Sequence, residues 1–456
     1  MGSIGFRSSA SVQSRSSASL FISYHSKQQT RHQSSWHPAK NPSLPCCADV
    51  AKMEIMLRST IPFLVSFVCF HAFVLVLSAQ SIDLPEITGV WEREVNTISV
   101  KSPNERVKKL ALYGFDLHGV FDPVTDGADY QLELTPSGQR NLDVRLSRGG
   151  RDEIIYQTRI QASTPVESVA RACDAVIEQI TGDPGMLSGK LVFVSNRTGH
   201  RELFISDLFF QNIRRITNHA SQTLSPHWSP DGKKIVYTSY FASGFPDLLQ
   251  YEVASKQVTP LAQFEGTNTG GAYDPFGARM ALILSPDEES ELFVGNAQAK
   301  NLQRLTRNES LESSPSWSPR GNEIVFTSDR TGSPQLYRMN ASGGDMERIP
   351  TNISRYCAEP DWNPLHKELI VFTAAKGGSF QLALHNTKKR ETRWLTKGGG
   401  DNREPKWMND GRHILFTQRT GSQHRLHIMD VNTGEIRKLH SESFGNAFEA
   451  DFVYPE

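Results

Sequence analysis

The amino-acid sequence predicts a mainly β protein in which a small α/β domain precedes a six-bladed β-propeller. Three observations lead to this prediction. The stretch Ser225-Pro-His-Trp-Ser-Pro-Asp-Gly232 returns as Ser314-Pro-Ser-Trp-Ser-Pro-Arg-Gly321, and each copy runs on into a β-branched segment. Aromatic residues at the equivalent position follow one another at intervals of 45, 44, 45 and 45 residues: Trp228, Tyr273, Trp317, Trp362 and Trp407. Gly and Pro fall between short apolar runs, as is typical of β proteins with many turns.

The first 79 residues predict a leader rather than a folded domain. Residues 1–52 are rich in Ser and nearly free of acidic side chains, and we interpret them as an upstream extension from a mis-called start. Residues 53–79 have the pattern of a secretory signal peptide: a basic residue, an apolar run, and Ser78-Ala79 as a cleavage site. We therefore expect export to the periplasm and removal of the signal. A plastid leader or a retained anchor is the alternative.

Residues 80–181 lie outside the repeats and predict the α/β domain. Alternating apolar and polar residues indicate strands at 130–134, 142–146 and 153–156. A helix is predicted over residues 104–112. A second helix begins after Thr164, with Pro165 at its first position, and ends at Gly182. The expected arrangement is a small sheet with helices on one side.

Residues 182–456 predict the propeller, built from WD40-like repeats of about 45 residues. The repeats begin near residues 184, 228, 273, 317, 362 and 407, and one further strand falls at 452. That last strand can complete the first blade, which leaves no sheet edge open. Because the Trp and turn residues recur to pack each blade, we expect their role to be structural.

No catalytic motif or metal-ligand spacing stands out in the sequence. It contains no G-x-S-x-G, H-E-x-x-H or C-x-x-C pattern, and the 14 His residues show no ligand spacing. Cys173 and Cys357 are expected to be separate buried thiols. Basic and acidic residues are both 49, so no nucleic-acid partner is indicated. We predict a non-enzymatic protein without cofactor or metal.

One set of residues is predicted to gather around the mouth of the propeller channel. In each blade the inner strand should begin on the face that carries the Arg-Thr-Gly hairpins, so the segments just before each Trp converge there. Their carboxylates could hold a cation or a basic side chain, or they could simply be hydrated. The candidate binding residues of this rim are Thr223, Glu312, Ser313, Cys357, Glu359, Asn402, Arg403, Glu404 and Glu449.

The sequence resembles the TolB family of the Tol-Pal system. The resemblance is sharpest at Ile180-Thr-Gly-Asp-Pro-Gly185, which leads into Leu191-Val-Phe-Val-Ser-Asn-Arg-Thr-Gly199. The stretch Asp116-Leu-His-Gly-Val-Phe121 is similar to a family motif, and the repeats resemble the family's across residues 182–456. The repeat motif is shared by many exported propellers. The combination of domain order, junction turn and blade number is specific to the family.

The resemblance implies a monomeric periplasmic scaffold that supports outer-membrane integrity and constriction during cell division. It implies that a Pal-like lipoprotein binds the propeller rim and holds the chain peripherally at the outer membrane. It also implies that a TolA-like inner-membrane protein contacts the mature N-terminus, for which the candidate residues are Ile82, Asp83, Leu84 and Ile87.

The N-terminal segment departs from the family pattern. After Gly89 the family usually has a strand ending in Val-Pro-Phe, whereas this chain has Trp91-Glu-Arg-Glu-Val95. Two alternative functions stay open at this point. One is an exported propeller hydrolase or lyase acting on saccharide or peptide, which would need paired catalytic carboxylates in the channel. The other is a cell-surface or plastid propeller with an unrelated partner.

Overall fold

The computed structural model describes residues 96–138, 140–151 and 153–454. The predicted extension at 1–52 and the predicted signal peptide at 53–79 lie outside these residues. The described chain forms an α/β sheet domain followed by a ring of six four-stranded sheets. The prediction of a mainly β, six-bladed propeller is confirmed.

The α/β domain is built on a five-stranded mixed sheet in the order β2-β1-β3-β4-β5. β1 pairs in parallel with β2 and β3, while β3, β4 and β5 form an antiparallel meander. The predicted strands correspond to β3, β4 and β5, and the sequence pattern missed β1 and the short β2. The strands are β1 (Asn96–Lys101), β2 (Phe121–Pro123), β3 (Tyr130–Pro136), β4 (Asn141–Arg148) and β5 (Ile154–Gln161).

Both helices of this domain begin at polar caps. In α1 (Glu105–His118) the Asn104 side chain accepts the N–H groups of residues 106 and 107. In α2 (Pro165–Thr181) Thr164 accepts the N–H of Glu167, whose carboxylate accepts the N–H of Ser163 in return. This pair resembles a capping box, except that the Glu167 carboxylate accepts from Ser163, the residue before the N-cap. Each helix ends at a glycine in the left-handed conformation.

Helix α1 runs six residues beyond its predicted end at residue 112. The continuation passes through Gly114. Glycine is a poor helix former, and here tertiary packing offsets the free-energy cost of placing it in a helix. A Cβ atom at Gly114 would lie only 3.2 Å from side-chain atoms of Leu187 and Phe209. The glycine therefore lets α1 pack closely against the start of the propeller, which the local sequence does not reveal.

The propeller consists of six antiparallel sheets whose neighbouring inner strands contact one another around a closed ring. Blade 1 is completed by the C-terminal strand β29, so the predicted closure is confirmed. The strands of blades 1 to 3 are β29 (Phe448–Val453), β6 (Lys190–Ser195), β7 (Glu202–Asp207) and β8 (Arg214–Arg215); β9 (Thr223–Trp228), β10 (Lys234–Ser239), β11 (Asp247–Glu252) and β12 (Val258–Ala262); β13 (Asn268–Tyr273), β14 (Arg279–Leu284), β15 (Glu291–Asn296) and β16 (Gln303–Arg304).

Blades 4 to 6 repeat the same order from inner to outer strand, and a short 3-10 helix, Glu442–Phe444, precedes β29. Their strands are β17 (Glu312–Trp317), β18 (Glu323–Ser328), β19 (Gln335–Asn340) and β20 (Met346–Arg348); β21 (Cys357–Trp362), β22 (Leu369–Lys376), β23 (Ser379–Asn386) and β24 (Glu391–Trp394); β25 (Asp401–Trp407), β26 (His413–Thr420), β27 (Gln423–Asp430) and β28 (Ile436–Lys438).

A single apolar core joins the α/β domain to blades 1 and 6. At the junction, buried Asp174 of α2 accepts the N–H groups of Leu187 and Ser188 at 2.7 and 2.8 Å. Gly185 lies so close to Asp174 that any Cβ would collide with it. The glycine of the junction turn is thus required by packing, and it fixes how the first blade follows the helix.

Candidate functional site

A β-bulge in every inner strand positions the residues that face the channel. The register between each inner strand and its neighbour shifts at this point in all six blades. The bulged residue has a positive φ, between 47° and 67°, and occupies the same position in each repeat. These residues are Ser225, Gly270, Ser314, Glu359, Glu404 and Glu449.

Three neighbouring blades supply carboxylates at the bulge, and we call Glu359, Glu404 and Glu449 the acidic arc. Each carboxylate accepts the backbone N–H of the bulged residue in the next blade. Glu359 accepts from Glu404 at 3.1 Å, and Glu404 accepts from Glu449 at 3.1 Å. Glu449 in turn accepts from Ser225 at 2.7 Å. The arc therefore ties blades 5, 6, 1 and 2 together around one side of the channel mouth.

Burial and the closeness of the three carboxylates change the protonation of the acidic arc. Burial, together with the charges of Glu449 and Glu359, raises the pKa of Glu404 to about 8. Burial also raises the pKa of Glu449, although Arg201 lies 3.8 Å away and opposes the shift. Glu404 is therefore mostly protonated at neutral pH. Since one oxygen of each carboxylate is held by a backbone N–H, this arrangement favours a structural and binding role over catalysis.

The structure separates the predicted rim residues into two groups. Ser313 is exposed, and Glu359, Arg403, Glu404 and Glu449 are half-buried at the channel mouth. The residues at or next to the start of an inner strand are instead fully buried between strands, where a partner on this face cannot reach them; they are Thr223, Glu312, Cys357 and Asn402.

The buried group makes contacts that close the blades. Glu312 binds Arg330 at 2.7 Å and Ser328 at 3.0 Å, and Asn402 bonds to Gln381 and Gln418. The alternation of faces along a β-strand explains the division, because neighbouring positions point in opposite directions. Cys173 and Cys357 are both buried free thiols, as expected.

Sequence reasoning missed three exposed aromatic side chains on the face of the propeller that carries the acidic arc. Phe241, Phe245 and Phe264 are 57%, 67% and 51% exposed. They lie in loops of blade 2 and of the connection to blade 3, on the face where the inner strands begin. Exposed aromatic side chains on one face are typical of protein-binding surfaces. These loops lack the Arg-Thr-Gly motif, and that departure from the repeat was the available signal.

A second layer of charged residues in the channel was also missed. The residue before each aromatic repeat position faces the channel at its opposite end, beside a cavity of about 230 Å³. His227 lies 3.0 Å from Asp451, and Lys406 lies 3.3 Å from Asp361. The same aspartates accept the backbone N–H of Trp228 and Trp407. These pairs link inner strands of neighbouring blades.

The comparisons with known proteins agree with this architecture. A family model described as the TolB beta propeller domain (PD40) matches residues 177–450, more than half of the chain. The chain belongs to this family. The curated relatives named "Tol-Pal system protein TolB" from Bordetella pertussis (strain Tohama I) and Bordetella parapertussis (strain 12822) are each 30% identical over 228 residues. The match covers 48% of this chain and 51% of each relative, so the chain spans about half the length of the curated relatives it matches.

A solved structure supports the fold of the whole described unit. The crystal structure of TolB from Acinetobacter baumannii superposes with a TM-score of 0.71 at 20% sequence identity. The match covers 79% of this chain and 98% of that one. At this identity the likeness concerns the fold.

The predicted N-terminal contact residues Ile82, Asp83, Leu84 and Ile87 lie outside the described residues, so their role stays a prediction. From residue 96 to residue 454, leaving aside the two undescribed positions 139 and 152, no helix has the length and apolar character needed to cross a membrane.

Proposed function

We propose that this chain is a non-enzymatic periplasmic scaffold of a Tol-Pal system. In this role it binds a Pal-like lipoprotein on the propeller and a TolA-like inner-membrane protein through residues near Ile82 and Ile87. It thereby supports outer-membrane integrity and constriction during cell division. The observation that carries the proposal is the match to the TolB propeller family over residues 177–450.

The propeller face with the acidic arc is the proposed lipoprotein contact. The half-buried carboxylates suit a basic or hydrogen-bond-donating group that enters the channel mouth. The exposed phenylalanines on the same face suit an apolar surface of the partner. Of the nine rim residues predicted from sequence, the proposal keeps those that reach the mouth: Ser313, Glu359, Arg403, Glu404 and Glu449.

The test is capture of the lipoprotein from a crosslinked envelope fraction of the same cell by the full chain. We compare the parent with the double variant Phe241→Ser, Phe245→Ser, and with Glu359→Gln. We expect the parent to recover a lipoprotein with a peptidoglycan-binding domain. Loss of the two aromatic rings should weaken binding about 10-fold or more, because such side chains dominate interface energetics.

Two matched controls separate the face from general damage. Phe276→Ser removes a ring that is 70% exposed in the turn after Tyr273, at the opposite end of the inner strands. Glu391→Gln removes an exposed acid from the outer strand of blade 5, the blade that also carries Glu359. Both controls should bind like the parent. Equal recovery of the lipoprotein by all variants would mean that the contact lies elsewhere on the chain. Recovery of no lipoprotein by the parent would overturn the proposed function.

A further inference from the structure

Three buried titratable side chains meet where the α/β domain packs on blade 6. His118 is the last residue of α1, Asp410 lies in the turn that leads into β26, and His413 is the first residue of that strand. Their side chains are only 3%, 2% and 1% exposed. This His–Asp–His cluster is formed by two parts of the chain that are 295 residues apart, and the channel does not use it.

The ligand atoms are close enough for one ion. His413 Nδ1 lies 2.5 Å from Asp410 Oδ2, and His118 Nε2 lies 4.0 Å from the same oxygen. One ligand atom from each residue lies within 4.8 Å of the others. Ligands on a tetrahedral zinc ion with bonds of about 2.0–2.1 Å are about 3.3–3.4 Å apart. The observed separations lie on both sides of that value, so modest side-chain rotations bring all three atoms to one centre.

The surroundings orient these atoms as a metal site requires. His413 Nε2 is 2.9 Å from the carbonyl oxygen of His118, which turns its Nδ1 toward Asp410. Asp410 Oδ1 accepts two backbone N–H groups at 3.0 Å, which leaves Oδ2 facing the two rings. The nearby guanidinium of Arg412 is paired with Asp430. Such outer contacts, a ring N–H on a carbonyl and an anchored carboxylate, are characteristic of metal-binding histidines and aspartates.

His118 supplies an independent observation. Neither of its ring nitrogens has a hydrogen-bond partner among the described residues, although the side chain is almost fully buried. A buried polar group without a partner calls for a specific explanation, and a bound ion is one of the few available. Burial, followed by the neighbouring His413, holds the pKa of His118 well below its usual value.

We propose that His118 Nε2, Asp410 Oδ2 and His413 Nδ1 bind a divalent transition-metal ion of the zinc class, with a water as fourth ligand. Two imidazole nitrogens and one carboxylate oxygen suit zinc, whereas calcium takes six to eight oxygen ligands. The ion connects the end of α1 to blade 6, so it clamps the α/β domain to the propeller. This inference does not depend on the proposed scaffold function.

The test measures metal content and thermal stability of the full chain. We expect purified protein, after exposure to zinc and gel filtration, to retain one equivalent of zinc by elemental analysis. Zinc should raise the unfolding midpoint relative to protein treated with EDTA, and calcium should not reproduce this shift. His118→Gln should abolish both the retained zinc and the zinc-dependent shift.

His366→Gln is the matched control, because His366 is exposed in the equivalent turn of blade 5; it should retain the zinc of the parent. If His118→Gln does not fold, the visible absorption spectrum of the parent loaded with cobalt tests the site instead. Tetrahedral cobalt coordination gives intense visible bands. A parent that retains no zinc, a His118→Gln variant that retains as much as the parent, or cobalt without tetrahedral bands would each overturn the proposal. The cluster would then be only a hydrogen-bonded contact between the two parts of the chain.

Discussion

At the scale of single residues, Glu404 shows how position alters an ordinary side chain. Its carboxylate accepts the N–H of Glu449 and the hydroxyl of Thr417, while the charges of Glu359 and Glu449 lie close by. Burial and those charges raise its pKa from 4.5 to about 8. Between these two values the folded protein holds a proton that the unfolded chain has released. This residue therefore makes the protein less stable as the pH rises through that interval.

Glu404→Gln is predicted to remove this pH dependence. Glutamine keeps the oxygen that accepts both hydrogen bonds and carries no charge at any pH. The variant should match the parent near pH 4.5 and exceed its free energy of unfolding by about 2 kcal/mol at pH 8, allowing for coupling and partial exposure. Urea unfolding at several pH values measures the difference. Glu391→Gln, on an outer strand, should leave the pH profile unchanged, and an unchanged profile for Glu404→Gln would refute the prediction.

At the scale of elements, the bulge of the inner strand is the repeated device of this propeller. It places one residue per blade in the left-handed region, where most side chains are strained by about 1–2 kcal/mol. Blade 3 meets this need with Gly270, whose φ is +67°, and blade 4 uses Ser314 at φ 51°. A Cβ at Gly270 would lie 2.9 Å from Ile283 and 3.3 Å from Pro315. The same backbone geometry is therefore tighter in blade 3 than in its neighbours.

Gly270→Ala should destabilise the protein by about 2 kcal/mol, since it adds both left-handed strain and a close contact. Ser314→Ala, at the equivalent position of the next blade, should change stability by less than about 0.5 kcal/mol. Denaturant unfolding of the two variants beside the parent checks the comparison. Equal effects would mean that the bulge of blade 3 relaxes to accept a side chain.

At the scale of the whole molecule, strand β29 closes the ring. It pairs with β6, placing Phe448 opposite Val194 and Phe452 opposite Leu191. On its other side Asp451 accepts the backbone N–H of Trp228 in blade 2 at 2.7 Å. The last strand thus joins the first blade from within and links it to the second. Without it, the edge of β6 and the side of β9 would both be open.

Removing residues 447–456 should lower the unfolding midpoint by at least about 10 °C and cause self-association through the exposed edge. Circular dichroism during heating and gel filtration measure these two effects. A synthetic peptide of residues 446–454 added in trans should restore the midpoint in a concentration-dependent way, because it binds only the folded ring. A truncated chain that unfolds like the parent would contradict the closure argument.

Much of the fold could be predicted from the sequence because the repeat is regular. Each blade must pack the same aromatic residue and the same turn, so a period of 45 residues recurs and indicates six blades. The caps of α2 were predictable for a similar reason, since Thr164 and Glu167 act within one turn of helix. The end of α1 was not, because Gly114 continues the helix through its contact with Phe209, far along the chain.

The candidate site was only partly predictable. The sequence placed Glu359, Glu404 and Glu449 near one another, since equivalent positions of neighbouring blades meet around the axis. It did not show that Glu312 and Asn402 are buried, because the direction of a side chain depends on a bulge that spacing alone does not reveal.

By itself, then, the sequence determined blade number, ring closure and the α/β-then-propeller order, all of which follow from local patterns repeated along the chain. Only the tertiary structure decided that burial in the acidic arc raises the pKa of Glu404. It alone also decided that His118 lies close to Asp410 and His413. Those features depend on distances between residues separated by tens to hundreds of positions. Such distances are set by how whole elements pack, and no local pattern of residues records them.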